Sequence, residues 1–270
     1  MTGVLAGLED GSRVDLSAAD YFIGTSAGAV VAARLAAGQA LRRPDAPHSG
    51  GLEPAGAIAQ GNLVTTLAST LGALPAQLAL RAGDRAHGVS RRLALRAIRP
   101  RSESVDPLLT PSQLQDARFD GRLRVVTVCR ATGRRVVFGS PGAPDASVAD
   151  AVTASCSVPW LFAPAVINGV EYVDGGVWSS TSIDLAPAKA GSEVLCLAPR
   201  ASTHGPLRAA MRVPVRAAAL LEAAALRARG ARVRLVAPDR DCARVMGTDF
   251  MAHEASAEIL AAGYRQGLLL

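Results

Sequence analysis

Short apolar runs alternate with alanine-rich stretches along this chain, and the alternation predicts strands that alternate with helices. Apolar runs of strand length occur at 122–129, 135–138, 193–199 and 231–238. The stretches 27–37 and 217–229 are mostly alanine, valine and leucine, which predicts helices. Buried strands between helices are typical of layered α/β folds. We therefore expect an α/β protein with three α/β/α layers and a mainly parallel central sheet.

The composition indicates one globular domain over residues 1–270. At 49% hydrophobic residues, the chain can bury a large core, but only 4% are aromatic, so alanine, valine and leucine must fill it. The net charge is +6, and Lys189 is the only lysine among 29 basic residues. GC-rich coding DNA explains the arginines and alanines more simply than function does. The charge is compatible with anionic lipid or nucleic acid but establishes neither.

A candidate nucleophile lies in the motif Gly24-Thr25-Ser26-Ala27-Gly28, between a predicted strand ending at Ile23 and the helix at 27–37. A G-x-S-x-G turn between a strand and a helix exposes its serine hydroxyl for nucleophilic attack. The helix N-terminus favours a developing negative charge beside it. We expect that a side chain at Gly24 or Gly28 would collide with the neighbouring strand or helix. An ordinary Gly-Ser turn has the same pattern.

A candidate carboxylate lies in Asp174-Gly175-Gly176, directly after a predicted hairpin at 165–173. Asn168-Gly169 between two β-prone runs is a strong signal for a two-residue hairpin turn. Asp174 would then end the second strand. A plain Asp-Gly-Gly turn is the alternative interpretation, and a Ser-Asp hydrolase without histidine is the functional one.

In their order along the chain, these motifs resemble those of the bacterial patatin-like phospholipases. The similar segments are residues 24–29, 154–159 with 162–164, and 172–177, together with residues 3–9 as the end of the first helix and the C-terminal stretch from Met246-Gly247 to Gly263-Tyr264. The resemblance implies a patatin-like α/β/α fold and a lipid acyl hydrolase that needs no cofactor. It implies that Ser26 is the nucleophile and Asp174 its partner. Gly24, Ala27 and Gly28 would form the nucleophile elbow with its oxyanion donors, and Gly175 and Gly176 the Asp-Gly-Gly turn.

The chain departs from the family's pattern at its N-terminus. The family begins with a strand and a Gly-Gly-Gly-x-Arg/Lys-Gly loop whose amides hold the oxyanion, whereas Gly3-Val4-Leu5 corresponds to a position beyond that loop. We therefore expect an N-terminally truncated domain without its first strand. Loss of one oxyanion donor typically costs about 100- to 1000-fold in turnover. A catalytically impaired or non-catalytic lipid-binding member is the alternative.

Histidines offer a different catalytic scheme. A Ser-Asp-His triad places its histidine late in the chain, so His204 or His253 could serve, while His48 and His87 lie in loop-like or basic segments. None follows a predicted strand in the expected way, and we favour the dyad. The chain has no histidine-carboxylate cluster at ligand spacing, so we expect no metal.

Two segments bear on partners. Residues 54–80 carry no charge and predict either two buried helices or an apolar cap for an acyl chain. Residues 81–101 contain seven arginines and only Asp84 opposing them, which predicts a solvated helix face or a contact with anionic headgroups. We expect a lipid or other acyl-ester substrate and a peripheral contact with anionic membrane. Without interleaved aromatic residues we expect no nucleic-acid partner, although an arginine-rich nucleic-acid-associated protein is the rival.

Cys129, Cys156, Cys196 and Cys242 are widely spaced in apolar or small-residue settings. They predict buried free thiols and a cytoplasmic location, where thiols stay reduced. A targeting signal upstream of Met1 is the alternative for the location.

Overall fold

The computed structural model describes residues 1–44, 88–98, 114, 117–202, 209–246 and 256–270. Within these residues the chain forms seven α-helices and seven β-strands. The helices are α1 (Thr2–Ser12), α2 (Ala27–Ala36), α3 (Gly88–Ala97), α4 (Val148–Cys156), α5 (Ala209–Ala228), α6 (Arg240–Met246) and α7 (Ser256–Leu268). The strands are β1 (Phe22–Thr25), β2 (Leu123–Cys129), β3 (Arg135–Phe138), β4 (Ala165–Ile167), β5 (Val170–Asp174), β6 (Glu193–Leu197) and β7 (Arg232–Val236). The α/β class expected from the sequence is confirmed.

The chain divides into two compact units, which we call the five-strand unit and the helix-pair unit. The five-strand unit comprises Gly24–Ala33 and Leu52–Trp178, and the helix-pair unit comprises Met1–Ile23, Arg34–Gly51 and Ser179–Leu270. Each unit has its own cluster of buried apolar side chains. The single domain expected from the sequence stays a prediction.

The sheet of the five-strand unit has the order β1-β2-β5-β4, and β3 also pairs with β2. The β2–β3, β2–β5 and β4–β5 pairings are all antiparallel. The expectation of a mainly parallel central sheet is therefore wrong for this sheet. The reason is local: β2 and β3 are joined by a tight turn, as are β4 and β5, and a tight turn can join only antiparallel neighbours.

The β4–β5 hairpin has the turn that its sequence predicts. Asn168 and Gly169 both have positive φ, at 50° and 75°. Two successive left-handed residues form the type I′ turn, which matches the twist of the strands it joins. The turn sets the register in which Ala165 faces Tyr172, and it places Asp174 at the end of β5.

Valine and leucine build the core of the five-strand unit. On one side Leu95 of α3 packs with Val128 of β2 and Val173 of β5, and two partly buried tryptophans border this cluster. Helix α4 packs on β2 and β5. It begins at Ser147, whose hydroxyl accepts the N–H of Asp150 as an N-cap. Helices α3 and α4 thus both pack on β2 and β5, the strands beside the candidate site.

In the helix-pair unit, α1 and α7 pack with their backbones in direct contact. The close approach depends on glycines spaced four residues apart on both helices, namely Gly3, Gly7 and Gly11 on α1 and Gly263 and Gly267 on α7. A Cβ added at Gly7 would collide with the Tyr264 carbonyl and lie 2.9 Å from the Leu268 nitrogen. The Tyr264 hydroxyl also donates to Asp10 across 2.7 Å.

The same unit contains a two-stranded parallel sheet of β6 and β7 and a half-buried carboxylate on α5. Glu222 Oε2 accepts the Thr181 hydroxyl at 2.7 Å and the Ile183 N–H at 3.1 Å. Burial is the main cause that raises the pKa of Glu222, and the nearby Asp184 adds to the rise. The Glu222 carboxyl group therefore holds the turn at 179–183, and its burial there favours the protonated form more than water does.

Several predictions concern segments outside the described residues. These are the uncharged stretch 54–80, most of the basic stretch 81–101 and all four histidines. Within the described residues no helix is both long enough and apolar enough to span a bilayer. The four cysteines are buried and unbridged, as expected.

Candidate active site

Ser26 lies in a strained turn between β1 and α2. Its φ is +56°, in the left-handed region that residues other than glycine rarely adopt. Such a conformation costs about 1–3 kcal/mol and persists where the surrounding structure enforces it, often at functional sites. The predicted strand-turn-helix context of Ser26 is confirmed, and its side chain is half-buried rather than enclosed.

The two glycines of the motif have different surroundings. A Cβ at Gly24 would lie 2.6 Å from the Ala29 nitrogen, so glycine is required there, as expected. The collision expected at Gly28 is wrong, since no atom of the described residues lies within 4 Å of a Cβ at that position. Gly28 belongs to the first turn of α2 and faces open space. The N–H groups of a first turn have no partner inside the helix, so the amide of the exposed Ala27 can donate to an anion.

Asp174 is the last residue of β5, and only 5% of it is exposed. Its backbone N–H donates to the Ser157 carbonyl at 2.9 Å, and its Oδ1 accepts the Gly176 N–H at 2.6 Å. Opposite Asp174 on β2 is Thr127. Backbone and side chain of Asp174 are therefore both held, and its carboxylate caps the turn formed by Gly175–Val177.

The two motifs meet beside β2. A Cβ at Gly175 would lie 2.5 Å from the Val126 carbonyl oxygen and 3.0 Å from Thr25 Cγ2. The residue after Asp174 thus lies against the residue before Ser26, although almost 150 residues separate them in the chain. Glycine at 175 is what permits this approach.

Ser155 is a residue of the site to which sequence reasoning assigned no role. It lies near the end of α4 and is completely buried. Its hydroxyl accepts the Ser26 N–H at 2.9 Å and donates to the Val126 carbonyl at 2.7 Å. Ser155 belongs to one of the segments on which the family resemblance rests, but nothing local in the sequence distinguishes it from Ser157 two positions later.

Cys156 lies close enough to Asp174 to sense its charge. Burial raises the pKa of the Cys156 thiol, and the negative charge of Asp174 raises it further. The thiol therefore stays protonated and does not compete with Ser26 as a nucleophile. Within the described part of the chain no group of His, Cys, Asp and Glu side chains could hold a metal ion.

A family model described as patatin-like phospholipase matches residues 1–187, more than half of the chain, and the match includes both motifs. The chain belongs to the patatin-like phospholipase family. No curated protein matches it. As a patatin-like protein it falls within a family of lipid acyl hydrolases. The structure brings the segments around Ser26 and Asp174 together, whereas the roles of these two residues stay predictions.

Proposed function

We propose that this patatin-like protein is a serine acyl hydrolase that cleaves ester bonds of phospholipids or lysophospholipids with a Ser26–Asp174 dyad. The observation that supports it best is the contact between the strained Ser26 turn and the Asp174 turn at Thr25 and Gly175. Strained turns cluster at sites where a side chain must be presented in one orientation. The two residues also differ in burial as their roles require, with a half-buried nucleophile and a buried base.

In the first half of the reaction, Ser26 Oγ attacks the carbonyl carbon of the ester while Asp174 accepts its proton. The carbonyl oxygen becomes an oxyanion, and the Ala27 N–H at the start of α2 is placed to stabilise it. The intermediate then breaks its bond to the leaving oxygen. Asp174 returns the proton to that oxygen, and the alcohol departs, leaving an acyl group on Ser26.

In the second half, a water molecule attacks the acyl carbon and Asp174 takes its proton. The bond to Ser26 Oγ breaks, the proton passes to that oxygen, and the fatty acid leaves. A carboxylate is a weak base toward a serine hydroxyl, so the dyad depends on the close approach of the Ser26 and Asp174 turns.

We further propose that helix α3 contacts an anionic membrane surface. Arg92, Leu93 and Arg96 are exposed and lie within about one turn of each other, whereas Leu95 of the same helix is buried in the core. Leu93 is 59% exposed, and the ten residues of α3 include no acid. Cationic residues around an exposed leucine suit lipid headgroups above an acyl layer.

With four buried thiols unbridged, we propose a reducing, cytoplasmic location.

A fluorophosphonate probe and p-nitrophenyl ester turnover together test the catalytic proposal. The wild type should be labelled at Ser26, and Ser26→Ala should lose labelling and turnover while keeping its melting temperature. Ser140→Ala, which alters another half-buried turn serine of the same unit, is the matched control and should keep both. Undiminished labelling of Ser26→Ala would refute the nucleophile. A folded wild type that binds lipid vesicles but shows neither labelling nor turnover would instead identify a non-catalytic lipid-binding protein.

A further inference from the structure

The Ser155 hydroxyl connects the candidate nucleophile to the centre of the sheet. A hydroxyl has one proton to donate and lone pairs with which to accept. The proton of Ser155 goes to the Val126 carbonyl, at 2.7 Å, so the oxygen faces the Ser26 N–H with a lone pair, at 2.9 Å. The orientation of the hydroxyl is therefore determined by its two partners.

The Ser155 hydroxyl and the Val126 carbonyl that it binds both lie in the buried core of the five-strand unit. Val126 lies in the middle of β2, is fully buried, and faces Val137 in the β2–β3 pairing. Ser155 is itself fully buried in α4, which packs on β2 and β5. The Ser26 backbone is thus held from outside its own turn, by an element 129 positions away in the chain.

We infer that Ser155 is a positioning residue for Ser26. Resting on the proposed function, the inference is that the Ser155 hydroxyl holds Ser26 at φ +56° and so keeps its Oγ directed at the substrate and at Asp174. The Ser155 hydrogen bond also gives the two amides of the turn different roles. The Ser26 N–H is occupied by Ser155, so the Ala27 N–H is the amide next to the nucleophile that can face the oxyanion.

Ser155→Ala removes one oxygen and leaves both the Ser26 N–H and the Val126 carbonyl without this partner. The turn can then relax from its strained φ, which moves Oγ away from the attacking position. Misplacement of a reacting group by about 1 Å can cost about 100-fold. We expect kcat for a p-nitrophenyl ester, and the rate constant of fluorophosphonate labelling per folded molecule, to fall at least about tenfold, with KM changed less than about threefold. Ser155→Thr keeps the hydroxyl and should restore most of the labelling rate.

Ser182→Ala is the matched control. Like Ser155, Ser182 is completely buried, and its hydroxyl donates to a backbone carbonyl, that of Ser179 in the helix-pair unit. A loss of labelling per folded molecule in Ser155→Ala but not in Ser182→Ala supports positioning. Equal labelling rates in the wild type and Ser155→Ala, or equal losses in Ser155→Ala and Ser155→Thr, would overturn it.

Amide hydrogen exchange separates this inference from the proposed function. In Ser155→Ala the Ser26 amide should exchange at least about tenfold faster than in the wild type and in Ser182→Ala, because a buried hydrogen bond protects it only while its acceptor is present. This measurement needs no activity. If the wild type is never labelled, the proposed function fails, and exchange alone decides whether Ser155 holds the turn. Unchanged exchange would refute the inference whatever the activity.

Discussion

The backbone N–H of Asp174 donates to the backbone carbonyl of Ser157 across 2.9 Å. Two residues earlier, the Ser155 side chain binds the backbone of Ser26. One short segment at the end of α4 therefore holds both candidate catalytic residues. The bond to Asp174 joins two backbones, so a side chain of the same shape can replace that of Asp174 while the donor and acceptor of this bond stay in place.

Asp174→Asn tests the role of the carboxylate while the backbone hydrogen bond to Ser157 stays in place. Asparagine keeps the shape of the side chain and an oxygen that can accept the Gly176 N–H, but it cannot take up a proton from Ser26. We expect ester turnover to fall by about 100- to 10,000-fold, the usual contribution of a general base, with little change in melting temperature. Steady-state hydrolysis and thermal unfolding of the purified variant measure the two effects. More than a tenth of wild-type turnover would contradict the role of Asp174.

His204→Ala and His253→Ala separate the dyad from a triad. If Asp174 is the only base, each variant should keep turnover within about threefold of the wild type. A collapse in either one to the level expected of a missing general base would favour a Ser-Asp-His arrangement.

The proposed membrane surface on α3 is tested by reversing its charge. Arg92→Glu with Arg96→Glu removes two cations, each worth about 1 kcal/mol near an anionic bilayer, so binding to vesicles containing phosphatidylserine should fall at least about 30-fold in sedimentation assays. Binding to pure phosphatidylcholine should stay weak in all variants. Arg232→Glu with Arg244→Glu is the control, because these arginines of the helix-pair unit are 75% and 78% exposed. Equal losses in both double variants would mean general charge rather than a defined surface, and retention on DNA with no vesicle binding would indicate nucleic acid.

The contrast between Gly7 and Gly28 predicts opposite effects of the same substitution. Gly7→Ala forces a methyl group into the backbone of α7 and should destabilise the protein by about 1–3 kcal/mol, the usual cost of overpacking. Gly28→Ala meets no described atom and should be neutral or stabilise α2 by up to about 1 kcal/mol, since alanine is the better helix former. Urea unfolding measures both. If the two variants lose the same stability, the close contact of α1 and α7 is wrong.

Glu222 predicts a pH dependence of stability. Its pKa is raised on folding above its ordinary value of 4.5, so the folded protein binds this proton more tightly than the unfolded chain. The contribution of Glu222 to the free energy of unfolding is fully present below about pH 4.5 and is lost as the pH rises through the folded-state pKa. Asp10 affects stability in a separate pH range. Hydrogen bonds from Arg43 and Tyr264 lower its pKa to about 2, so its stabilising contribution is lost only as the pH falls below its ordinary value of 3.8.

Glu222→Gln is the matched variant for this test. Glutamine can still accept from Thr181 and Ile183 through its carbonyl oxygen but does not titrate. We expect the melting temperature of the wild type to rise more than that of the variant when the pH falls from about 7 to about 5. Parallel curves would refute the link between Glu222 and stability.

Local signals predicted much of the fold. The Asn168-Gly169 turn, the strands on either side of it and the helix after Ser26 all occur where expected, because each depends on residues close together in the chain. The mainly parallel orientation expected for the sheet was wrong because two of its pairings join consecutive strands through tight turns, which make them antiparallel. The hairpin at 165–173 was itself predicted, and its antiparallel consequence for the sheet was the missing step.

The candidate site also has features that local sequence predicts and features that depend on tertiary packing. The left-handed turn at Ser26 and the strand end at Asp174 are local features that a motif can signal. The Ser155 bridge and the open space at Gly28 are not, because they depend on how α4 and α2 pack in three dimensions. The assignment of Ser26 and Asp174 as partners came from the family resemblance, and it awaits the variants above.

The glycine contact between α1 and α7 has a consequence for how the protein is made. The Asp10–Tyr264 bond joins residues 254 positions apart, so α1 leaves the ribosome long before its partner exists. At about 5–20 residues per second, the glycine face of α1 stays uncovered for some 10–50 seconds. Contacts of such separation also form late when the complete chain refolds. Final assembly of the helix-pair unit therefore waits until α7 has been synthesised, and a chain released before α7 would be a natural target for chaperones and proteases.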